Sequence, residues 1–465
     1  MKDIKNLKIA YIGGGSRSWA KNLMVDLARE EALCGTVYLY DIDMQAAKSN
    51  EKIGTLFSAR DEVISKWKYV AVADIADALT GADFVVISIL PGTFDEMESD
   101  VHAPERCGIY QSVGDTTGPG GIVRALRAAP MFAYFAEKIK ECCPNAWVIN
   151  FTNPMTVCTR TLYKVFPKIK AFGCCHEVFG TQDIFQKLLK EKRGVDAERH
   201  EIEINVLGVN HFTWLDKVCY KGEDLIPLYR QFIEENAEGV DGTDRTHWAN
   251  AEFAQKNKVK FDLFQRYGVI AAAGDRHLAE FCPADWYLKN PETVKAYGFE
   301  LTPVSWRKKD RAWRVEVAEK LASGEKALEF YHTGEECVKQ MKAILGLGSF
   351  LTNVNLPNRG QMPELPLDAV VETNAYFCGD DVRPVFAGKL PQGVQALVQR
   401  ICVEQEMVAE AALTGDYELA FQAFLNSPNV QINIHEARKL FDEMLEKTKE
   451  YLPYYDRYVK VKDNK

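Results

Sequence analysis

Six short apolar runs alternate with helical segments over the first 175 residues of the chain. Each run has the length of a strand and is rich in β-branched and aromatic residues, and the intervening segments have the periodicity of amphipathic helices. Continuous apolar strands separated by helices are typical of a parallel sheet with helices on both faces. The pattern therefore predicts a doubly wound, Rossmann-like α/β fold. The runs are LKIAYI, TVYLY, KYVAVA, DFVVISIL, AWVINF and IKAFG.

The pattern changes after about residue 200. The segment EIEINVLGVNHFTWLDKVCY predicts two longer strands, and residues 305–350 and 391–450 have the periodicity of amphipathic helices. We therefore expect two domains: a Rossmann-like domain over residues 1–195 and a helix-rich α+β domain over residues 196–465.

The chain carries a net charge of -9, from 57 basic and 66 acidic residues. Binding to a nucleic-acid backbone needs a basic surface, so this balance argues against a nucleic-acid-binding protein. No apolar run reaches the roughly 18 to 20 residues that a membrane-spanning helix needs, and the N-terminal run ends in glycines rather than in a signal-peptide cleavage site. The 12 cysteines are scattered without a C-x-x-C pair, which indicates free thiols. We expect a cytoplasmic protein without a membrane segment.

The first predicted strand runs directly into three glycines, Gly13, Gly14 and Gly15, in the segment IAYIGGGSRSW. A turn without side chains, followed by the N–H groups of a helix, is what the pyrophosphate of a dinucleotide requires. Ser16 continues this turn, although the third glycine of the usual fingerprint is replaced. Asp41 ends the second strand at the position that binds a ribose hydroxyl, which favours NAD over NADP. The alternative is a plain turn between strand and helix.

Polar side chains follow several of the predicted strands, where ligands bind in sheets of this kind. Cys175 and His211 each stand at a strand end, and together they could hold a metal ion and leave positions open for substrate oxygens. A buried free thiol and a core histidine bonded to a backbone carbonyl are the alternatives. Other polar residues at such positions are Asp115, Asn153, Asn210, Asp275, Arg276 and His277. Three further histidines lack such neighbours and are predicted to be surface or structural residues: His247, His332 and His435.

Several motifs occur in a fixed order: GGGSRSW after the first strand, then DTTGPGG, NFTNP, a Cys-His tetrapeptide, GVNHF and a late VVE segment. In this order the chain resembles the NAD- and manganese-dependent glycoside hydrolases of family 4, from residue 7 to about residue 450. The family has a fold similar to that of lactate and malate dehydrogenases. The tetrapeptide Cys-His-Glu-Val, residues 175–178, is similar to that of the α-galacturonidase members.

The resemblance implies a metal site and an acid–base pair. It makes Cys175 and His211 the ligands of Mn²⁺ or another divalent metal, and His176 the proton donor. Asp275 matches the proton acceptor of the α-glucosidase members. Tyr267 is a second candidate for this role, because other members use a tyrosine.

The resemblance also implies a cofactor site and substrate contacts. Gly13–Gly15 and Asp41 match the NAD site, in the first domain. Asp115 and Asn153 match substrate-contacting positions, and Glu177 is expected to meet the sugar as well. The second domain would complete the substrate and metal site.

The activity implied is hydrolysis of α-galacturonides, the short fragments of pectin, by a transient oxidation. NAD⁺ takes a hydride from C3 of the sugar, the C2 proton is removed and the glycosidic bond breaks by elimination. Water then adds to the resulting double bond, and NADH returns the hydride. The carboxylate of the sugar needs a cation, for which Arg276, His277 and Arg359 are candidates. A second anion such as Glu177 would repel a uronate, so two roles are open for it: it binds a sugar hydroxyl, or it fixes one of those cations.

Three alternatives stay open on the sequence. One is an α-glucosidase or α-galactosidase of the same family, which would act on neutral sugars. The second is an NAD-dependent hydroxy-acid dehydrogenase, which would accumulate NADH. The third is a non-catalytic protein that binds NAD as a sensor and does not respond to manganese. Members of the family are commonly dimers or tetramers, so we expect a homodimer or homotetramer.

Overall fold

The computed structural model describes residues 3–241 and 255–458, and His247 lies outside these ranges. All six predicted strands of the first 175 residues are present, and seven further strands follow. In chain order they are β1 Leu7–Ile12, β2 Gly35–Tyr40, β3 Lys68–Val72, β4 Phe84–Ile87, β5 Trp147–Asn150, β6 Lys170–Gly173, β7 Ile202–Val209, β8 Phe212–Tyr220, β9 Glu223–Asp224, β10 Ile270–Ala271, β11 Ser349–Pro357, β12 Val370–Cys378 and β13 Asp381–Pro384.

Seventeen α-helices accompany these strands within the described ranges. Among them, no helix combines the length and the apolar character that crossing a membrane requires. The helices are α1 Trp19–Ala28, α2 Met44–Ser58, α3 Ile75–Leu79, α4 Phe94–His102, α5 Gly118–Cys142, α6 Met155–Val165, α7 Phe179–Arg193, α8 Ile226–Glu235, α9 Lys258–Tyr267, α10 Asp275–Phe281, α11 Ala284–Tyr287, α12 Pro291–Tyr297, α13 Val304–Ser323, α14 Cys337–Ile344, α15 Gln392–Thr414, α16 Tyr417–Asn426 and α17 Ile434–Lys447.

The main sheet has nine strands in the order β13-β12-β11-β6-β5-β4-β1-β2-β3. Strands β1 to β6 pair in parallel, so their order is 3-2-1-4-5-6, the order of dinucleotide-binding sheets. The connection reverses direction between β1 and β4, which opens a crevice at the carboxyl ends of these two strands. The predicted doubly wound, Rossmann-like fold is confirmed.

Successive residues of β1 enter two different hydrophobic cores. Ile9 and Tyr11 pack in the core that α1, α2 and α14 cover. Ala10 and Ile12 pack in the core on the opposite face, under α3, α5 and α6. Because both faces of the strand are buried, both must be apolar, which explains the continuous apolar runs of the sequence.

The later part of the chain both extends this sheet and forms a second one. Strands β11, β12 and β13 add to the edge of the main sheet in antiparallel pairing. The second sheet has the order β10-β8-β7, with β9 paired to β8, and the β7–β8 hairpin is the pair of long strands predicted for residues 201–220. The main sheet therefore contains strands from both sides of the predicted domain boundary. The boundary between residues 195 and 196 stays a prediction.

The helical segment expected over residues 305–350 is shorter than predicted. Helix α13 ends at Ser323, and Gly324 follows it with φ of 80°. A glycine in this left-handed conformation is a common end of a helix, because other residues adopt it at a cost. Residues 324–336 consequently form a loop, and the helix resumes only as α14 at Cys337.

Glu404 provides a test of burial in this fold. Glu404 belongs to α15, and its side chain is buried. Its carboxyl accepts a 3.4 Å hydrogen bond from the hydroxyl of Thr117, which precedes α5. Burial raises the pKa of Glu404 to about 8. The folded chain thus binds a proton that the unfolded chain releases above the ordinary glutamate pKa of about 4.3, so this residue lowers the stability as the pH rises from about 4.3 to 8.

We therefore expect Glu404→Gln to be more stable than the wild type at pH 8.5 by several kcal/mol, since each unit of the pKa difference is worth about 1.4 kcal/mol, and to differ from it by about 1 kcal/mol or less at pH 5. Urea unfolding at the two pH values measures the difference. Glu410→Gln is the control, because Glu410 is an exposed carboxylate on the same helix, paired with Lys164. A gain for Glu404→Gln that did not change with pH would contradict the assignment.

Candidate active site

The carboxyl ends of the parallel strands open into a cavity of about 1070 Å³. Ligands of doubly wound sheets bind at this edge, because loops and helix N-termini converge there. Most of the predicted site residues line this cavity, whereas Gly14, Asp275, Tyr267 and Arg359 do not. The predicted residues on its wall are Gly13, Gly15, Ser16, Asp41, Asp115, Asn153, Cys175, His176, Glu177 and His211.

The glycine turn after β1 has no room for side chains. A Cβ on Gly13, whose φ is 92°, would lie 2.0 Å from the carbonyl oxygen of Ser88. A Cβ on Gly14 would lie 2.7 Å from Leu39, so this glycine is required although it does not line the cavity. Helix α1 follows with no acidic residue in its first turn. The bare turn and the helix N-terminus fit the pyrophosphate of a dinucleotide.

Asp41 is held in place at the end of β2 by backbone groups. Its carboxylate accepts hydrogen bonds of 2.8 Å from the N–H groups of Gly15 and Asp43. The buried Asn50 donates to the carbonyls of Gly14 and Ser16, and so ties the turn to α2. A carboxylate fixed beside the glycine turn fits the ribose hydroxyls of NAD and repels the 2′-phosphate of NADP. Asn50 was missed, because a single asparagine in a helix gives no sequence signal.

His211 lies at the turn of the β7–β8 hairpin, in the left-handed region with φ of 64°. Non-glycine residues with this conformation concentrate at functional sites. The Thr116 hydroxyl contacts its Nδ1 at 2.9 Å, which leaves Nε2 for another partner. Burial, together with the nearby His277, lowers the pKa of His211 to about 3. The imidazole is therefore neutral, the form that binds metals.

Asp115, His211 and His277 form a cluster that fits a divalent cation. One ligand atom from each lies within 4.8 Å of the others. Carboxylate and imidazole donors together suit Mn²⁺ and related ions. His277 and Asp115 had not been predicted as ligands, because their positions in α10 and before α5 are distant in sequence from the hairpin.

Cys175 lines the same cavity but stands outside that cluster of three. Its carbonyl accepts a hydrogen bond from Asn353, which also contacts Glu372 of the VVE segment at 2.7 Å. Burial, followed by the charges of Glu372 and Glu177, raises the pKa of the Cys175 thiol well above its usual value. A thiol ligates only after it loses its proton, so binding of a cation at Cys175 must be accompanied by proton release.

The structure places Glu177 beside His277, one of the cations that it was expected to fix. Its carboxylate lies 3.3 Å from Nδ1 of His277 and accepts a 3.0 Å hydrogen bond from the N–H of Gly274. The ring of His277 in turn lies 4.0 Å from the ring of His211, between centroids. Burial lowers the pKa of His277, but the charges of Glu177 and Asp115 and the hydrogen bond to Glu177 outweigh it and raise the pKa, so a protonated His277 would offset the negative charge of Glu177.

The candidates for the sugar carboxylate differ in position. Arg276 and His277 line the cavity, whereas Arg359 does not and pairs with Asp368. His332 and His435 are exposed, as predicted for them.

His176 faces the cavity and keeps 50% of its side-chain surface accessible. Its Nδ1 lies 3.2 Å from a carboxylate oxygen of Glu335, and the ring of Trp19 flanks it with 6.0 Å between centroids. Burial lowers the pKa of His176, but the hydrogen bond and charge of Glu335 outweigh this effect and raise the pKa to about 9. An imidazolium at neutral pH is a competent proton donor.

Asp115 and Asn153 stand on the cavity wall next to Arg124. Burial raises the pKa of Asp115, but the charges of Arg124 and the two histidines outweigh it and hold the pKa below its usual value. The carbonyl of Asn153 accepts a 3.0 Å hydrogen bond from Arg124. The amide oxygen of Asn153 is buried and has no hydrogen-bond partner within the described ranges. Such a group fits a bound hydroxyl.

The two predicted proton acceptors lie away from this site. Asp275 is fully buried, and its carboxylate accepts a 3.0 Å hydrogen bond from the N–H of Lys260 in the first turn of α9. Burial raises its pKa to about 6. Tyr267 packs edge-on against Trp214, with 6.1 Å between centroids, and does not line the cavity. The structure therefore does not bring either residue to the other catalytic candidates.

The chain is similar to one family of known proteins over nearly its whole length. Residues 8–191 match the family 4 glycosyl hydrolase domain, and residues 206–430 match the C-terminal domain of the same family. The α-galacturonidase of Thermoanaerobacterium saccharolyticum is 59% identical over 451 residues, which cover 97% of each chain.

Two solved structures have the same fold. The crystal structure of LplD from Bacillus subtilis has a TM-score of 0.90 and 52% identity, and covers 95% of this chain and 100% of its own. The 6-phospho-β-glucosidase of Thermotoga maritima, solved with manganese, NAD⁺ and glucose-6-phosphate, has a TM-score of 0.75 at 22% identity over 96% of this chain and 99% of its own. Both domain matches and the full-length identity lead to one conclusion: the chain belongs to glycoside hydrolase family 4.

Proposed function

We propose that this enzyme is an α-galacturonidase that hydrolyses short α-galacturonides of the kind released from pectin. The observation that carries this proposal is the 59% identity, over nearly the whole of both chains, to a curated α-galacturonidase. The Cys-His-Glu-Val segment supports it, because it resembles the tetrapeptide of the α-galacturonidase members and follows β6 at the edge of the sheet where ligands bind.

Two bound groups would supply part of the chemistry. When bound, NAD⁺ supplies the acceptor for the hydride of C3, and a divalent cation such as Mn²⁺ supplies Lewis acidity at the sugar oxygens. The glycine turn Gly13–Ser16 and Asp41 would hold the dinucleotide. His211 and Asp115, two members of the cluster, would hold the cation, and Cys175 on the same cavity wall would complete the site, which leaves His277 for the sugar. A relative of the same fold was solved with both groups.

The chain's own residues bind the sugar and move a proton. His176 donates a proton from its ring to the glycosidic oxygen as the bond to C1 breaks. Asp115 and Asn153 accept hydrogen bonds from sugar hydroxyls. The proposal leaves Asp275 and Tyr267 out of the C2 deprotonation, because neither side chain lines the cavity.

The sugar carboxylate would be bound by Arg276 and His277. Both line the cavity, and Arg276 is anchored by a hydrogen bond of 3.0 Å from its Nε to the carbonyl of Glu300. Glu177 orients His277 through its Nδ1. In this assignment Glu177 acts on selectivity for acidic sugars through His277 and does not touch the sugar hydroxyls itself.

We also propose a homodimer or homotetramer in the cytoplasm. All 12 cysteines are free, and a thiol at the cation site requires a reducing compartment.

The test is incubation with digalacturonate, Mn²⁺, NAD⁺ and a thiol in D₂O. We expect galacturonate with deuterium at C2, no net NADH, and no product when NAD⁺ or Mn²⁺ is omitted. The p-nitrophenyl α-galactoside and α-glucoside serve as matched controls and should react at least about a hundredfold more slowly than the α-galacturonide, since one desolvated carboxylate pair is worth several kcal/mol. Net NADH would instead favour a dehydrogenase, and comparable rates on neutral sugars would favour the other glycosidases of the family.

A further inference from the structure

Glu335 comes from a part of the chain that the proposed function does not use. It belongs to the loop of residues 324–336, between α13 and α14, which crosses back over the first domain. The loop is anchored on α1, because the Thr333 hydroxyl donates to Asp26 at 2.7 Å and the Tyr331 hydroxyl donates to Asn22 at 2.6 Å. The N–H of Glu335 donates to the Thr333 hydroxyl at 3.0 Å, so the anchor extends to its own backbone.

The side chain of Glu335 reaches from this loop to the cavity wall. It keeps only 11% of its surface accessible, and one carboxylate oxygen lies 3.2 Å from Nδ1 of His176. Trp19 contacts the ring of the same histidine, with 6.0 Å between centroids. With Nδ1 engaged, Nε2 is the ring nitrogen that can face a substrate.

The other carboxylates near His176 have different partners. Glu177 is bound to His277 and to the N–H of Gly274. Glu372 accepts hydrogen bonds from the side chains of Asn210 and Asn353. Of these three carboxylates, Glu335 is therefore the one that contacts His176 directly.

We propose that Glu335 is a positioning residue that orients His176 as the proton donor to the departing sugar. This inference rests on the proposed function, in which His176 is the acid. The proton leaves Nε2 of the imidazolium for the glycosidic oxygen as the bond from that oxygen to C1 breaks. The histidine is left neutral, with its remaining proton on Nδ1 in the hydrogen bond to Glu335. A carboxylate behind an imidazole fixes its tautomer and orientation in this way in other enzymes.

The test compares Glu335→Gln with the wild type on two substrates that differ in their need for a proton. The aglycone of digalacturonate departs as an alcohol and needs one, whereas p-nitrophenolate departs without one. General acid catalysis contributes about 10²- to 10⁴-fold, so Glu335→Gln should lower kcat/KM for digalacturonate by about 30- to 100-fold, and for p-nitrophenyl α-galacturonide by less than about threefold. The ratio of the two constants should thus change at least tenfold.

Glu329→Gln is the matched control, because Glu329 lies on the same loop and is exposed. It should leave both constants unchanged. Equal losses on the two substrates for Glu335→Gln would mean a structural role and would overturn the proposal, as would the absence of any loss. If Glu335→Gln does not fold, Glu335→Asp replaces it. Glu335→Asp keeps the charge but moves it away from His176 by the length of one methylene group. It should change the ratio of the two kcat/KM values in the same direction.

His176→Ala separates this inference from the proposed function. If His176→Ala loses much more activity on digalacturonate than on p-nitrophenyl α-galacturonide and Glu335→Gln does not, Glu335 is not the positioning residue. His176 then keeps its assignment as the acid. If His176→Ala loses activity equally on both substrates, the assigned acid is wrong. If the wild type hydrolyses neither galacturonide, the proposed function itself fails.

Discussion

Replacing His211 by asparagine is expected to lower kcat/KM for an α-galacturonide by at least about a thousandfold. The loss reflects several kcal/mol of Lewis-acid stabilisation, since about 4 kcal/mol corresponds to a factor of 10³. The imidazole of His211, at the hairpin turn, forms the possible metal site together with Asp115 and His277. Its left-handed backbone and the contact of Thr116 with Nδ1 hold the ring in one orientation. Asparagine tolerates the same backbone conformation, so the variant removes the ligand without adding strain.

Equilibrium dialysis against Mn²⁺, with the bound metal measured by mass spectrometry, shows whether the lost activity follows lost metal. His332→Asn is the matched control, because His332 is exposed and contacts Arg29 on the surface. It should keep full activity and metal affinity. If His211→Asn bound Mn²⁺ as tightly as the wild type, the imidazole would not be a ligand.

Replacing Asp100 by alanine is expected to destabilise the fold by about 3 to 5 kcal/mol. Asp100 on α4 and Arg127 on α5 are both fully buried, and the two side chains make a bidentate pair with distances of 3.0 and 2.5 Å. Removing the carboxylate leaves the guanidinium buried without its counter-charge, and the cost of that desolvated charge dominates the effect.

Urea unfolding measures this loss, and Asp95→Ala is its control. Asp95 precedes Asp100 on the same helix and pairs with Lys308, but it is exposed, so its removal should cost at most about 1 kcal/mol. The double variant Asp100→Leu with Arg127→Met should recover most of the stability, because apolar groups of similar volume replace a buried pair at little cost. If Asp100→Ala lost no more stability than the control, the guanidinium of Arg127 would be hydrated in the variant rather than buried without a partner.

The strand ends illustrate how much of the site could be predicted from the sequence. The glycine turn, Asp41, Asn153 and the Cys-His-Glu-Val segment each follow a predicted strand directly, and the fold places the carboxyl ends of parallel strands along one edge. Recognising the strands was therefore enough to predict that these residues lie close together. The hairpin histidine lines the same cavity because β7 of the second sheet packs against β12 of the main sheet.

The GDRH segment shows what the same reasoning could not decide. Asp275 was expected in the site, but Asp275 and His277 lie two residues apart at the start of α10. Residues so spaced on a helix point about 200° apart, because each residue turns the helix by about 100°. Only one of these two side chains can therefore face the cavity, and the other is buried against α9. His277 reaches the cavity, and only the packing of α10 decides between them.

The sequence by itself determined the family, the parallel sheet and the residues that stand at its carboxyl edge. These follow from local signals: apolar runs of strand length, glycines directly after a strand and short motifs in a fixed order. The tertiary structure alone decided which groups orient those residues. Glu335 meets His176, Glu177 meets His277 and Glu372 meets Asn210 across separations of more than about 90 residues. Such pairs are set by the packing of distant segments, and no spacing along the chain encodes them.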